Sequence, residues 1–194
     1  MVIKSIASDE DDILLGIMQL HNDGQPFDLD PTFSRGAFYR SGRVPMPVYR
    51  FDLNPVREDV LAAGVTNLPL ADCSIGSVIF DPPFIFNPHG RFSNAQIRFS
   101  SFPTWDDMER TYRGALDEFK RILRPKGIVA FKCQDNTDSK SVMTHCHVWQ
   151  WATMAGFYAK DVFIRYRYNG PVYNPYVHQR HARKFHSYWW VFVR

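Results

Sequence analysis

The chain has 194 residues, of which 45% are hydrophobic and 22% charged, a balance that excludes wholesale disorder and suits one sizeable core rather than two. No apolar run approaches the roughly 18 residues that a membrane span needs, and the acidic turn of the N-terminus at Asp9–Asp12 is unlike a secretory signal. Cys73, Cys133 and Cys146 show no metal-like spacing, which predicts reduced, buried thiols in a cytoplasmic compartment.

The net charge of +3 hides a segregation along the chain. Asp9, Glu10, Asp11, Asp12, Asp23, Asp28 and Asp30 face only Lys4 in the first thirty residues, whereas no acid follows Asp161. Arg165, Arg167, Arg180, Arg183, Lys184 and Arg194 all lie in that last stretch, and 14 of the 30 aromatic residues fall between Trp149 and Phe192. Cations track phosphates and rings stack on bases, so this mixture is compatible with nucleic acid.

The predicted elements alternate. Ile13, Leu14, Ile17, Met18 and Leu20 recur at helical spacing after an acidic start that favours a helix N-terminus. A short strand is expected around Pro26–Asp30, a second over Val48–Leu53, and a short helix over Val56–Ala63. Ser77–Phe80 is a third strand, stopped by Asp81-Pro82-Pro83. Trp105–Leu123 is an amphipathic helix with Met108, Tyr112, Ala115, Leu116, Phe119 and Leu123 on its apolar stripe, ended by Arg124–Gly127. A strand over Ile128–Lys132, a helix over Ser141–Ala155, and strands over Ala159–Tyr168 and Ser187–Val193 follow. Strands alternating with helices predict an α/β fold, a doubly wound, mostly parallel sheet with an antiparallel C-terminal hairpin, as a single domain over residues 1–194. Such sheets bind ligands at the carboxyl ends of their strands.

The sharpest chemical signal stands at one of those ends. In Asp81-Pro82-Pro83-Phe84 two prolines stiffen the turn and remove two backbone donors, so an acid and a carbonyl are presented beside a flat ring. One acceptor for each hydrogen of an exocyclic amine, and a ring to hold its base, is what amine chemistry on a nucleobase requires. His178, His181 and His186, or His145 and His147, lack a supporting Cys or carboxylate at zinc-like spacing, so no metal is expected.

Asp81–Phe84 resembles the catalytic motif of S-adenosylmethionine-dependent DNA amino-methyltransferases of the N6-adenine or N4-cytosine type. Asn67–Asp72 with Ser77–Phe80 is similar to that family's approach to the motif, and Glu118–Gly127 to its following helix and turn. Arg183–Phe192 resembles the terminal strand of phage and prophage members. The resemblance implies a Rossmann-like methyltransferase fold, S-adenosylmethionine as cofactor, and Asp81, Pro82, Pro83 and Phe84 as catalytic residues. It implies a site-specific, adenine-specific DNA methyltransferase in a bacterial or phage-infected cell. The cofactor-binding residues carried over are Asp30, Thr32, Gly36, Asp52, Asn67 and Leu68. Asp30 is favoured over Asp28 because it starts the turn. Ser34 departs from the family pattern, standing where a first glycine is common, and Ser tolerates positive φ poorly.

No separate recognition domain is expected, which leaves residues 85–104 and 168–186 as candidate target-recognition loops, with Arg91, Arg98, Arg180, Arg183 and Lys184 as nucleic-acid contacts. Double-stranded DNA is the expected partner, with no membrane, and a homodimer could supply further contact area. Two alternatives are an RNA adenine N6-methyltransferase using the same chemistry and a catalytically weak nucleic-acid-binding subunit that keeps the fold.

Overall fold

A computed structural model describes residues 2–86, 101–137, 141–168, 178 and 181–194. Helix α1 (Glu10–His21) begins where the Asp9 side chain accepts the Asp11 amide at 3.0 Å, with Glu10, Asp11 and Asp12 in the first turn. It stops at Asn22, where Asp23 and Gly24 follow at positive φ. Helix α2 (Trp105–Ile122) is capped by Thr104, whose hydroxyl accepts the Asp107 amide at 3.1 Å. Helix α3 (Thr144–Met154) is the third.

The main sheet is built from β1 (Ile6–Ala7), β2 (Leu29–Asp30), β3 (Tyr49–Asp52), β4 (Leu61–Ala62), β5 (Ile75–Phe80), β6 (Leu123–Cys133), β9 (Tyr158–Tyr166) and β10 (His186–Val193), in the order β1-β9-β10-β6-β5-β2-β3-β4. Strands β7 (Asn136–Thr137) and β8 (Ser141–Val142) form a separate small ribbon. Among the described strands of the main sheet only β10 runs against its neighbours; it pairs antiparallel with β6 and with β9, forming the expected C-terminal hairpin. From β2 the chain winds outward through β3 and β4, then returns to β5 on the other side. The winding therefore reverses between β2 and β5, and the crevice of such a sheet opens at that reversal.

Strand alternation feeds two cores. Val78 and Phe80 of β5, Val129, Phe131 and Cys133 of β6, and Phe192 of β10 pack with Met108, Leu116 and Phe119 of α2 and with Val148 and Trp151 of α3. Ile79, Ile128, Ala130, Trp189 and Val191 point the other way, to Ile13, Leu14, Ile17 and Met18 of α1. Strand β5 is almost wholly buried, as a central parallel strand covered on both faces should be.

Four sequence expectations are corrected. Residues 56–63 form no helix: the Val60 amide closes a turn on the Arg57 carbonyl, and Leu61–Ala62 pair with Phe51–Asp52 as β4. Only Val60 in that stretch is buried, so there is no apolar stripe for a helix to bury. Arg124–Gly127 do not separate α2 from the next strand, because β6 starts at Leu123 and absorbs them as an irregularity between the Ile75–Leu123 and Ser77–Ile128 pairs. Leu20 lies off the buried face of α1 at 50% exposed, and Cys73 and Cys146 are exposed, leaving Cys133 as the buried thiol.

Phe80 is fully buried, and its ring meets Phe131, Phe119 and Tyr112 edge-on at 4.8, 5.1 and 6.2 Å between centroids. Phe80→Ala is expected to lower unfolding stability in urea by about 3–5 kcal/mol, and a change below about 1 kcal/mol would show that this cluster does not hold β5 in place.

Candidate active site

The carboxyl ends of β2, β3 and β5 bring the expected residues to one edge of the sheet. After β2 the chain makes a tight turn around Asp30, which is 3% exposed. Its Oδ1 accepts the Thr32 amide at 2.9 Å and the Thr32 hydroxyl at 3.3 Å, and its Oδ2 accepts the Tyr39 hydroxyl at 2.8 Å. Asp30 thus anchors the turn from inside. Burial pushes its carboxyl up to about 7, against the lowering effect of the Tyr39 bond. Phe33 donates its amide to Phe51, and its ring stacks on Tyr39 at 5.2 Å. Ser34 sits at φ +49°, the left-handed conformation that made its place in the glycine pattern questionable. Gly36 is left-handed too, and a Cβ there would stand 2.8 Å from the Phe33 ring.

Asp52, half-buried at the end of β3, fastens this turn from the neighbouring strand. Its two oxygens accept the Ser34 amide at 2.9 Å and the Asn54 amide at 2.8 Å. Farther along, Asn67 is exposed while Leu68 is buried against α2. The Leu68 amide donates to Glu118 at 2.7 Å, and its carbonyl accepts from Arg121 at 3.2 Å. Arg121 also binds Glu118, Asp72 and the Leu70 carbonyl, so one guanidinium clamps the segment to the helix. With the Leu68 backbone engaged in this way, Asn67 and the residues before it are the part of the segment open to a ligand.

Asp81–Phe84 follows β5 directly. The Asp81 amide donates to the Thr32 hydroxyl at 3.0 Å, joining the turn after β2 to the turn after β5 across the winding reversal. Two side chains pin the carbonyls beyond: Tyr112 of α2 donates to Pro83 at 2.8 Å, and Asn136 of β7 to Phe84 at 2.6 Å. Among the described residues the Pro82 carbonyl accepts no hydrogen bond, and Asp81 Oδ1 is enclosed without a partner. The Phe84 side chain belongs to a half-buried residue beside them.

Sequence reasoning did not find Lys132 and Glu10. Lys132 Nζ lies 3.5 Å from Asp81 Oδ2 and 2.9 Å from Glu10 Oε1. The signal available was that Lys132 is the charged residue in the otherwise apolar run Ile128–Cys133. Glu10 reads from sequence as an ordinary first-turn acid. Asp135, Asn136, His145 and Tyr188 also belong to this edge. His145 Nδ1 is 2.7 Å from Asp135 Oδ1, and its ring stacks on Tyr188 at 4.2 Å.

Of the expected nucleic-acid contacts, Arg91, Arg98 and Arg180 lie outside the described residues, as do the middles of the two candidate loops. Arg183 and Lys184 are half-buried in the segment entering β10. Among the described residues no group of three or more His, Cys, Asp or Glu side chains is arranged to hold a metal ion, and no helix is long and apolar enough to cross a membrane.

No protein-family model matches the chain, and no curated protein matches it. Solved structures do. A chain from the complex of the Haloferax volcanii Trm112 methyltransferase activator is similar over 84% of this chain and 79% of that one, at 15% identity and a TM-score of 0.53. The Burkholderia thailandensis 1,6-didemethyltoxoflavin-N1-methyltransferase, holding its substrate and S-adenosylhomocysteine, is similar over 91% and 75%, at 16% identity and a TM-score of 0.51. TTHA0409 of Thermus thermophilus, described as a DNA modification methylase and complexed with S-adenosyl-L-methionine, covers 65% of this chain at 17% identity and a TM-score of 0.43. This chain spans about half of that protein's length. The fold is therefore the Rossmann-like, doubly wound sheet that the sequence implied, and it is shared with the first two of these solved structures.

The raised Asp30 carboxyl has a consequence for stability. Between the unfolded value of 3.8 and the folded value of about 7, the native protein holds a proton that the unfolded chain has lost. This group's contribution is complete below the unfolded value and falls by about 1.4 kcal/mol per pH unit until the folded value is passed. Relative to wild type, Asp30→Asn should gain stability as pH rises from 4 to 7 in denaturant titrations. A constant difference across that range would place the Asp30 titration elsewhere.

Proposed function

We propose that the protein transfers a methyl group from S-adenosylmethionine to the exocyclic amine of a base flipped out of double-stranded DNA, with adenine N6 as the acceptor. The observation that carries this reading is the state of the acceptors in the turn after β5. Pro83 and Phe84 have their carbonyls bonded by Tyr112 and Asn136, while Asp81 Oδ1 and the Pro82 carbonyl have no partner among the described residues. Two neighbouring acceptors match the two hydrogens of an amine. A buried acceptor without a donor is costly unless a ligand supplies one.

The turn after β2 fits the cofactor in the chemistry of its donors and acceptors. Each Asp52 oxygen accepts one backbone amide and, as a carboxylate oxygen, keeps acceptor capacity for a ribose hydroxyl. Thr32, Gly36 and Asn67 would line the rest, with Leu68 fixing the Asn67 segment from behind and Asp30 holding the turn in shape from beneath. Bound there, S-adenosylmethionine would supply an electrophilic methyl group. A neighbour with the same fold holds S-adenosylhomocysteine, the product of such a transfer.

The chain's own residues then act on the base. Flipping costs a few kcal/mol of unstacking, which stacking on Phe84 offsets. With its hydrogens held by Asp81 and Pro82, the amine turns its lone pair toward the methyl. Positive charge developing on nitrogen then stands against the Asp81 carboxylate. Tyr112 and Asn136 keep the turn rigid while this happens. The acid-free sequence beyond Asp161, with Arg167, Arg183 and Lys184, supports phosphate contact, and Arg91, Arg98 and Arg180 are proposed to extend it.

Asp81→Ala should lower methyl transfer onto duplex DNA by about 100-fold or more while calorimetric binding of S-adenosylmethionine is unchanged. Labelled transfer to DNA and to structured RNA, with sequencing of DNA from expressing cells for N6-methyladenine, identifies the acceptor. Retained turnover in Asp81→Ala, or transfer to RNA alone, would overturn the reading.

A further inference from the structure

The first residue of the catalytic turn has a partner that register dictates. Strands β5 and β6 run parallel with Ile79 opposite Ala130 and Phe80 opposite Phe131, so the next step along both strands brings Asp81 beside Lys132. Alternation turns both toward α1, away from the core that holds Phe80 and Phe131. Across the sheet, β10 places Trp189 opposite Lys132.

Lys132 is a lysine held in an apolar wall. Its side chain is 10% exposed, with Nζ 4.9 Å from the centre of the Phe38 ring and 5.3 Å from that of Trp189. Desolvating an ammonium to this degree is costly unless it is paired. Two carboxylates share it: Glu10 at 2.9 Å and Asp81 at 3.5 Å. Glu10 is itself fixed, since Trp189 donates its indole N–H to the same Oε1 at 2.8 Å and Arg165 approaches Oε2 at 3.6 Å. Because Lys132 addresses Oδ2 of Asp81, Oδ1 is the oxygen left for a substrate.

We propose that Lys132 is the positioning residue of this site, keeping the Asp81 carboxylate ionised and turning its Oδ1 toward the substrate amine, while Glu10 from α1 limits how strongly that charge acts. The inference rests on the methyl-transfer reading above. The groups around Asp81 come from every packed element: Glu10 from α1, Asp30 from β2, Tyr39 from the turn after it, Tyr112 from α2, Lys132 from β6, and Arg165 from β9 behind Glu10. Burial raises the Asp81 carboxyl, Lys132 opposes that, and Glu10 adds to it. The Tyr39 and Tyr112 phenols are themselves pushed up by burial, so they stay neutral and leave the contest to the other charges.

An ionised Asp81 is the form that accepts from the amine, so transfer rises as pH passes its titration. Removing Lys132 and removing the Glu10 charge should move that midpoint in opposite directions. Lys132→Met keeps the stem against Phe38 and Trp189 and deletes the charge. It should move the acid limb of kcat upward by about 1 pH unit or more. Glu10→Gln keeps an acceptor for the Trp189 indole and should move the limb downward. Lys132→Arg should return the limb toward wild type.

The test reads both the free protein and the reaction. Carbon-13 carboxyl spectra of the full chain, with the Asp81 signal assigned through Asp81→Asn, give the midpoint without substrate. Methyl transfer onto duplex DNA at saturating S-adenosylmethionine gives the limb, and thermal melting confirms that each variant folds. Opposite displacements of the Asp81 midpoint in the Met and Gln variants support the inference. Folded variants that lose activity equally at every pH, with the Asp81 signal unmoved, overturn it and make the ion pair purely structural. Opposite displacements in the Met and Gln variants, together with a wild-type protein that methylates nothing at any pH, would uphold the coupling and overturn the methyl-transfer reading on which its catalytic meaning depends.

Discussion

An acid at the end of a strand as apolar as Ile75–Phe80 has to be stabilised from outside that strand, because nothing within it can solvate a carboxylate. The surroundings of Asp81 meet this need through neighbours from distant parts of the chain. Its amide is bonded by Thr32 from the turn after β2, one carboxyl oxygen faces Lys132 from β6, and Lys132 is in turn held by Glu10 from α1. Beyond it, Tyr112 from α2 and Asn136 from β7 fix the carbonyls of the turn. The edge around Asp81 is thus a set of polar contacts, each from a different element. This is why so small a sheet can hold a stiff turn in a single arrangement.

The turn after β2 follows the same logic with the opposite electrostatics. Asp30 has its oxygens occupied by Thr32 and Tyr39 and forms no ion pair among the described residues, so burial drives it toward the neutral form. Asp52, half-buried one strand away, carries the bonds that hold Ser34 in its left-handed conformation. Two aspartates that look alike in the sequence therefore do different work. One fastens the turn from beneath, and the other fastens it from the side while keeping oxygen capacity for a ligand. Glu118 and Arg121 do the corresponding work for the segment around Leu68.

Much of this was legible in the residues themselves. The apolar run ending in Asp81-Pro82-Pro83 marks a buried strand cut off by prolines, and the stripe from Met108 to Phe119 marks a helix, because these patterns depend only on local period and backbone chemistry. The doubly wound sheet follows from their alternation. Less legible were segments whose state depends on partners. Residues 56–63 have residue types that suit a helix, yet Leu61–Ala62 are claimed by Phe51–Asp52 as an edge strand. Arg124–Gly127 resemble a terminating turn, yet the pairing of β5 with β6 carries them inside a strand.

The sequence by itself determined the strand that delivers Asp81, the stiffness of the turn that presents it, and the helix that buries the far side of that strand, since each arises from neighbours in the chain. Only the tertiary structure decided which side chains Asp81 meets. The β5–β6 register puts Lys132 beside it, the antiparallel return of β10 puts Trp189 over Lys132, and the seating of α1 brings Glu10 from a segment some seventy residues earlier in the chain. The separation between local and tertiary information is physical. Period and proline act over a few residues, whereas a carboxylate's charge state is set by whatever lies within a few ångströms, however far away in sequence.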